Sequence, residues 1–287
     1  MRRSCLALHL TAALLLSSPF HLAHAIPAAT ATSSAATPLV IGESFNIDSQ
    51  ALQEQRHINV YMARAWDTPP DAPLPVLYMP DGGLAEDFLH VAGLLQVSVA
   101  NGTMRPFMLV GIENTQRRRD LTGPTDEPKD RAIAPVVGGA PAYRSFIRDE
   151  LMPQVRQRYR VTPETAIIGE SLAGLFVVET FLLEPQLFDH YFAFDPSLWW
   201  NRGALPSQAA GLLARHGGAP HTLYLASSSE AGIAAEVQRL AQVLAGSATR
   251  GLDWHVETMP QETHGTIYHP AALKALRAVL APKMDKL

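Results

Sequence analysis

Short apolar runs alternate with longer amphipathic or apolar stretches along the chain, and this alternation predicts the secondary structure. Short apolar runs favour buried strands, whereas apolar positions spaced by three and four residues favour helices. The predicted strands are 40–46, 58–62, 75–79, 107–112, 166–168, 191–194, 222–226 and 254–257. The predicted helices are 84–97, 143–158, 172–183, 208–215, 231–244 and 271–280.

This order of elements predicts an α/β fold with a mostly parallel sheet and helices on both faces. The two earliest strands have no helix between them, so they predict an antiparallel N-terminal edge on that sheet. Residues 114–141 are rich in Gly, Pro and charge and form the longest predicted loop. Loops of this length in compact domains are often functional.

Residues 1–25 have the order of a cleaved export signal. Arg2 and Arg3 precede a largely apolar stretch, and Ala23 and Ala25 supply the small residues that a signal peptidase requires. The apolar stretch is too short to span a bilayer, so we expect export to the periplasm or beyond and no membrane anchor. Cleavage removes Cys5, the single cysteine. Small and polar residues at 26–38 predict a linker, followed by one domain over 39–287.

Composition and motif content narrow the function classes. The chain has 287 residues, of which 47% are hydrophobic, enough for a substantial folded core. Its net charge is −4, and the basic cluster 117–119 is followed at once by Asp120, which argues against a nucleic-acid partner. Metal-ligand spacings and phosphate- or dinucleotide-binding glycine motifs are absent from the sequence, so we expect neither a metal nor a cofactor.

The segment around Ser171 has the layout of a nucleophile elbow. An apolar run ends at Gly169, one residue intervenes, and a helical pattern begins directly after Ser171. Such a sharp strand-to-helix turn exposes a serine hydroxyl, and small neighbouring residues let the helix approach the strand. The usual pattern is G-x-S-x-G, and this chain has Ala173 in place of the second glycine. The alternative is a serine that only caps a helix.

A serine nucleophile needs a general base, and His264 is the candidate because it follows the last predicted strand. In hydrolases with such an elbow the chain order is serine, acid, histidine. Glu230, in the loop after strand 222–226, is the preferred acid. Asp195, at the end of the preceding strand, is the second choice, and Glu262 is the third. A serine–histidine dyad without an acid is a further alternative.

Two backbone N–H groups are candidates for an oxyanion hole. The N–H of Leu172 opens the helix after the elbow, where free donors and the positive end of the helix dipole stabilise an oxyanion. Gly83 ends an Asp-Gly-Gly segment after strand 75–79, and glycine lets the backbone approach a substrate closely. The alternative for Gly83 is an ordinary turn.

Several segments together resemble the α/β-hydrolase family named putative esterases, and in particular its branch of periplasmic siderophore trilactone esterases. The matching segments, in chain order, are 81–83, 111–122, 146–153, 159–161, 165–178, 195–200 and 262–265. The resemblance spans about 40–280 and implies an α/β-hydrolase fold with a Ser/His/acid hydrolase acting on carboxylic esters. Asp195 stands where relatives commonly have a small polar residue, which leaves open that the acid lies there.

Carried over by position, the resemblance implies that Ser171 is the nucleophile, His264 the base and Glu230 the acid. It implies that Leu172 and Gly83 supply the oxyanion N–H groups.

The resemblance also implies substrate-binding residues in two loops. Arg117 and Asp120 match an R-x-x-D-x-T segment that lies near the ligand in siderophore esterases, where an arginine suits an anionic catecholate. An Arg–Asp ion pair that only holds the loop together explains the same residues equally well. Trp199 and Trp200 are candidates for the wall of an aromatic pocket, or for packing under the loop.

These expectations combine into an exported serine esterase that works through an acyl-enzyme on a small-molecule ester, with a siderophore ester as the candidate substrate. An acyltransferase with the same triad and a catalytically silent ligand-binding relative are the alternatives.

Overall fold

A sheet of eight strands forms the centre of the fold in this computed structural model, which describes residues 36–282. The predicted signal peptide and most of the predicted linker lie outside the described residues. The unit that begins at Ile41 contains all the elements below. Its strands are β1 (Glu43–Ser49), β2 (Glu54–Ala63), β3 (Leu74–Pro80), β4 (Phe107–Ile112), β5 (Val161–Glu170), β6 (His190–Phe194), β7 (His221–Ser227) and β8 (Leu252–Thr258).

Helices follow most of the strands, as the alternating pattern predicts. They are α1 (Phe88–Ala100), α2 (Arg117–Asp120), α3 (Pro128–Arg131), α4 (Ala140–Phe146), α5 (Met152–Arg158), α6 (Leu172–Leu183), α7 (Trp200–Leu213), α8 (Ala231–Gly246) and α9 (Tyr268–Val279). A π-helical turn at Ile147–Leu151 joins α4 to α5, so that these three segments together span 140–158, where a single helix over 143–158 is predicted.

The strand order is β1-β2-β4-β3-β5-β6-β7-β8. β2 is antiparallel to both of its neighbours, and every other pairing in the sheet is parallel. The predicted fold class, a mostly parallel sheet with an antiparallel N-terminal edge, is therefore confirmed.

Two hydrophobic cores lie on opposite faces of the sheet because successive residues of a strand point to opposite sides. In β3, Val76 and Tyr78 belong to one core, and Leu77 and Met79 belong to the other. Helices α4 to α8 cover the first face, and α1 and α9 cover the second. Helix α6 is largely apolar and is buried along nearly its whole length, which holds its N-terminus against the central strands.

The parallel strands bring chemically active residues to one edge of the sheet. Ser171 directly follows β5, Asp195 directly follows β6, Ser228 directly follows β7, and His264 lies in the segment between β8 and α9. Because parallel strands end at the same edge, residues far apart in the sequence meet there.

The predicted loop 114–141 contains the two short helices α2 and α3 and is anchored by a buried ion-pair cluster. Both carboxylate oxygens of Asp120 accept hydrogen bonds, one from Arg56 Nη1 and one from Arg119 Nε, each at 2.6 Å. The guanidinium of Arg56 is itself buried and lies over the ring of Tyr143. The order of this loop thus comes from charge pairing, which hydrophobic periodicity does not reveal.

Helix α7 begins earlier than the predicted helix 208–215. Its first turn is interrupted by Asn201, Arg202 and Gly203, whose φ angles of 49°, 56° and 67° lie in the left-handed region. Among the described residues, no helix is both long and apolar enough to cross a membrane.

Candidate active site

Ser171 occupies the sharp turn between β5 and α6. Its backbone has φ 60° and ψ −118°, a conformation that costs energy for a residue with a side chain. Its N–H donates to the carbonyl of Phe194 at 3.0 Å, and its carbonyl accepts from the N–H groups of Ser197 (3.0 Å) and Leu175 (2.9 Å). These bonds to α6 and to the segment around the end of β6 hold the strained serine in place.

Gly169 and Gly174 permit the close contacts of this turn. A Cβ atom on Gly169 would lie 2.7 Å from the Cβ of Ala173, and one on Gly174 would lie 3.0 Å from the carbonyl oxygen of Phe194. The Ala173 methyl group is accommodated because Gly169 has no side chain. One glycine of the G-x-S-x-G pattern therefore suffices for this turn.

A continuous chain of hydrogen bonds joins Asp195, His264 and Ser171. Nε2 of His264 lies 3.1 Å from Oγ of Ser171, and Nδ1 lies 3.0 Å from Oδ2 of Asp195. Because Nδ1 faces carboxylate oxygens it carries the ring proton, which leaves a lone pair on Nε2 to accept the serine hydroxyl proton. The imidazole is thus oriented as a general base toward Ser171.

Asp195 is held by its neighbours in the orientation that His264 needs. The residue is fully buried and has a positive φ of 41°. Its Oδ1 accepts from the Ser228 N–H at 2.6 Å, and its Oδ2 accepts from the Ser228 hydroxyl at 2.5 Å. Burial by itself raises the pKa of Asp195, but the hydrogen bonds from His264 and Ser228 outweigh it and hold the pKa below its ordinary value.

Asp195 therefore replaces Glu230 as the candidate acid, which corrects the preference drawn from the sequence. Glu230 is exposed at the N-cap of α8, and its backbone N–H donates to the Ser228 hydroxyl at 3.2 Å. Glu262, the third choice, accepts from the Ser229 N–H through its carbonyl and so ties the His264 segment to the loop after β7. The sequence signal for Asp195 is its place directly after a buried strand.

Glu170 is a residue of the site that sequence reasoning missed. It lies between the elbow glycine and Ser171, and its Oε1 is 3.2 Å from Nδ1 of His264. Burial raises the pKa of Glu170 to about 7, against the opposing effects of His264 and Arg117. The ligand atoms of Glu170, Asp195 and His264 lie within 4.8 Å of one another. In this arrangement Nδ1 of His264 faces Asp195 and Glu170 together, so a proton on this nitrogen lies between two carboxyl groups.

The charge around His264 favours its protonated form. The hydrogen bond to Asp195 is the largest influence and raises the pKa of His264 above its ordinary value, burial opposes it, and the negative charge of Glu170 adds to the increase. An imidazolium formed during a reaction is therefore stabilised by Asp195 and by the ionised form of Glu170, with a further contribution from Glu230.

The two candidate oxyanion donors differ in whether their N–H groups already have a hydrogen-bond acceptor. Leu172 is the first residue of α6, so its N–H has no acceptor within the helix. The N–H of Gly83 donates to Oε2 of Glu86 at 2.7 Å, and Oε1 of Glu86 accepts from the amide of Asn114 at 2.9 Å. Gly83 must release this carboxylate before its N–H can bind an oxyanion.

The predicted substrate-binding residues fall into three different environments. Asp120 is fully buried and pairs with Arg56 and Arg119, so its contacts in this structure hold the loop, whereas the resemblance implies a place near the substrate. Arg117 forms a bidentate pair with Asp81, with both N–O distances 2.7 Å, and its side chain is 36% exposed. Trp199 is 41% exposed and lies against Trp200, whose indole N–H donates to a backbone carbonyl.

Known proteins resemble the chain both in sequence and in fold. The ferri-bacillibactin esterase BesA of Bacillus subtilis is 31% identical over 163 residues, which cover 52% of this chain and 56% of that protein. The siderophore triacetylfusarinine C esterase of Aspergillus fumigatus is 35% identical over 147 residues, covering 45% of this chain and 46% of that protein. The chain thus spans about half the length of these relatives.

A solved structure shows the same fold. The IroE-like serine hydrolase from Shewanella oneidensis superimposes with a TM-score of 0.74 at 25% identity, covering 83% of this chain and 80% of that one. The predicted α/β-hydrolase fold is thereby confirmed. The family described as "Putative esterase" matches residues 49–241, two-thirds of the chain, and this protein belongs to it.

Proposed function

We propose that this protein is a serine hydrolase that cleaves carboxylic esters through an acyl-enzyme. The observation that carries the proposal is the unbroken chain of hydrogen bonds from Asp195 through His264 to Ser171. A hydroxyl is a weak nucleophile at neutral pH unless a base takes its proton, and this chain supplies the base and the charge that supports it. The esterase family and the esterase names of the two relatives agree with this chemistry.

In the acylation step, Ser171 Oγ attacks the ester carbonyl carbon while His264 Nε2 takes the hydroxyl proton. The charge of Asp195 stabilises the resulting imidazolium, and the N–H groups of Leu172 and Gly83 stabilise the oxyanion. When the tetrahedral intermediate collapses, the bond to the alcohol oxygen breaks and His264 donates its proton to that oxygen. Water, activated by His264 in the same way, then cleaves the acyl-enzyme and releases the acid.

The substrate class that we propose is a siderophore ester. One relative is named a siderophore triacetylfusarinine C esterase and another a ferri-bacillibactin esterase, and the sequence resemblance points to the siderophore branch of the family. Arg117 contributes to this proposal because its pair with Asp81 uses Nε and Nη2, and Nη1 remains to meet an anionic catecholate oxygen. The exposed Trp199 offers a flat apolar surface for an aromatic ring.

Export is part of the proposal. It is supported by the order of positive, apolar and small residues over 1–25 and by the absence of cysteine from the rest of the chain. Protein recovered from the exported fraction should begin at Ile26. An intact Met1 there would contradict signal cleavage.

The test of the activity is intact-mass analysis after exposure to a fluorophosphonate, followed by peptide mapping. One adduct is expected, located on Ser171 and absent from Ser171→Ala. Ser207→Ala, which removes a helix hydroxyl bonded to the Gly203 carbonyl, is the matched control and should label normally. Folded wild-type protein that gains no adduct, or gains it elsewhere, would overturn the hydrolase proposal.

The test of the substrate compares a catechol trilactone with a neutral p-nitrophenyl ester. We expect linear products from the trilactone, and Arg117→Met should lower kcat/KM for the trilactone more than for the neutral ester. Turnover of the aryl ester alone would reject the siderophore and keep the hydrolase. Transfer of the acyl group to added alcohol in preference to water would identify an acyltransferase.

A further inference from the structure

We propose that Glu170 is a second acid on His264, a positioning residue that keeps the ring proton on Nδ1 and supports the imidazolium beside Asp195. This proposal deepens the proposed function and rests on it. It starts from one distance: Oε1 of Glu170 lies 3.2 Å from Nδ1 of His264, against 3.0 Å for Oδ2 of Asp195. One ring nitrogen therefore faces two carboxylates that come from the ends of neighbouring strands.

The two carboxylates differ in how they are held. Asp195 is fully buried and accepts two hydrogen bonds from Ser228 in addition to its bond with His264. Oε1 of Glu170 is buried and has no hydrogen-bond partner of good geometry among the described residues. A buried carboxylate oxygen without such a partner lowers the stability of the folded protein. The presence of Glu170 at this position therefore indicates a role for its charge.

The surroundings of Glu170 leave His264 as its principal partner. The charged and titratable groups around it are His264, Asp195, Arg117, Asp87 and Tyr268. Arg117 is committed to Asp81 by two hydrogen bonds, and Asp195 and Asp87 repel the charge of Glu170. His264 is the cationic group that forms during the proposed reaction, and Glu170 lies beside it when it forms.

Two consequences follow for the imidazole. A negative Glu170 raises the pKa of His264, so removal of that charge lowers it. A negative Glu170 also favours the tautomer with the proton on Nδ1, because that N–H then faces both carboxylates. If Asp195 is neutralised, Glu170 alone maintains the tautomer that Ser171 needs.

The experiment uses Glu170→Gln, Asp195→Asn and the double variant of the full chain. Nitrogen-15 NMR of the imidazole, with His264→Gln for assignment, measures the pKa and the tautomer in each protein without requiring turnover. Glu170→Gln should lower the pKa of His264, because it removes a negative charge beside the ring. The acid limb of the pH profile of kcat/KM for a p-nitrophenyl ester should shift to lower pH by the same amount. Loss of the Nδ1–H tautomer should require both substitutions.

Kinetics provide the second measurement. The fall in kcat caused by Glu170→Gln should be about tenfold greater in the Asp195→Asn background than in the wild type. Glu170→Asp, which keeps the charge, should restore part of the pKa of His264. Glu164→Gln is the matched control, because Glu164 lies toward the other end of β5 and contacts His190 at 3.0 Å. It should leave the pKa of His264 unchanged.

Unchanged titration of His264 in Glu170→Gln, or equal losses in both backgrounds, would overturn the role of Glu170. Failure of the hydrolase proposal looks different: wild-type protein would neither react with a fluorophosphonate nor hydrolyse esters, while the NMR titration would still report on Glu170. If Glu170→Gln does not fold, Glu170→Ala removes the same charge and decides the question. It should lower the pKa of His264 relative to the wild type, and an unchanged pKa would reject the proposal.

Discussion

Replacing Asp195 by asparagine should lower kcat for ester hydrolysis by about a thousandfold. Oδ2 lies 3.0 Å from Nδ1 of His264, inside a site where Asp195 is fully buried. Two unit charges about 4 Å apart attract by about 4 kcal/mol at an effective dielectric constant of about 20. Asparagine preserves the size of the side chain but removes its charge, so the transition state loses this attraction. A loss of about 4 kcal/mol corresponds to about a thousandfold in rate.

The assay is steady-state hydrolysis of a p-nitrophenyl ester, with circular dichroism and thermal melting to verify the fold of each variant. Glu230→Gln is the matched control, because Glu230 is exposed and contributes a backbone N–H to the Ser228 hydroxyl. It should change kcat by less than about twofold, as exposed substitutions usually do. A larger loss in Glu230→Gln than in Asp195→Asn would refute the assignment of the acid, and small losses in both would indicate a dyad.

Three further predictions concern the base, the oxyanion donor and the elbow. The acid limb of the pH profile of kcat/KM should lie above roughly pH 6.5, because neighbouring carboxylates raise the pKa of His264. Activity is lost as the pH falls through that raised pKa, since the protonated ring cannot act as a base. An acid limb below pH 6.5 would contradict this geometry. Glu86→Gln should raise kcat by about fivefold, because a neutral acceptor releases the Gly83 N–H more readily than a carboxylate does. An unchanged or lower kcat would exclude the Gly83 N–H as an oxyanion donor. Gly169→Ala should lower the free energy of unfolding, measured by chemical denaturation, by about 1–3 kcal/mol, since the new Cβ would lie 2.7 Å from the Cβ of Ala173. Adding Ala173→Gly should recover part of the loss. A Gly169→Ala protein as stable as the wild type would show that the elbow relaxes.

The loop 114–141 shows that two residues of one motif can have different partners in the fold. The resemblance to siderophore esterases implies that Arg117 and Asp120 lie near the substrate, and an ion pair between the two is the alternative. In the structure they do not pair with each other: Arg117 pairs with Asp81 after β3, and Asp120 pairs with Arg56 on β2 and with Arg119. Long-range partners decide which charges are neutralised inside the fold, and these partners are not visible in local spacing.

The candidate acid shows the same limit. Glu230 and Asp195 both follow strands on the correct side of Ser171 in the chain, so order and spacing do not separate them. The backbone conformation at each position distinguishes Asp195 from Glu230. Asp195 has a positive φ and directs its carboxylate to the Ser228 N–H and to His264, whereas Glu230 caps α8 with an exposed side chain.

The sequence by itself determined the alternation of strands and helices, the antiparallel edge, and the turn that carries Ser171, because each of these depends on local periodicity and on small residues at close contacts. It also determined that His264 follows the last strand, since chain order survives folding. Only the tertiary structure decided that Nδ1 of His264 meets Asp195 and Glu170, and that Glu86 holds the Gly83 N–H. Hydrogen bonds and charge pairs form between groups at distances of about 3 Å, and such distances between distant parts of the chain exist only after the strands have aligned their ends.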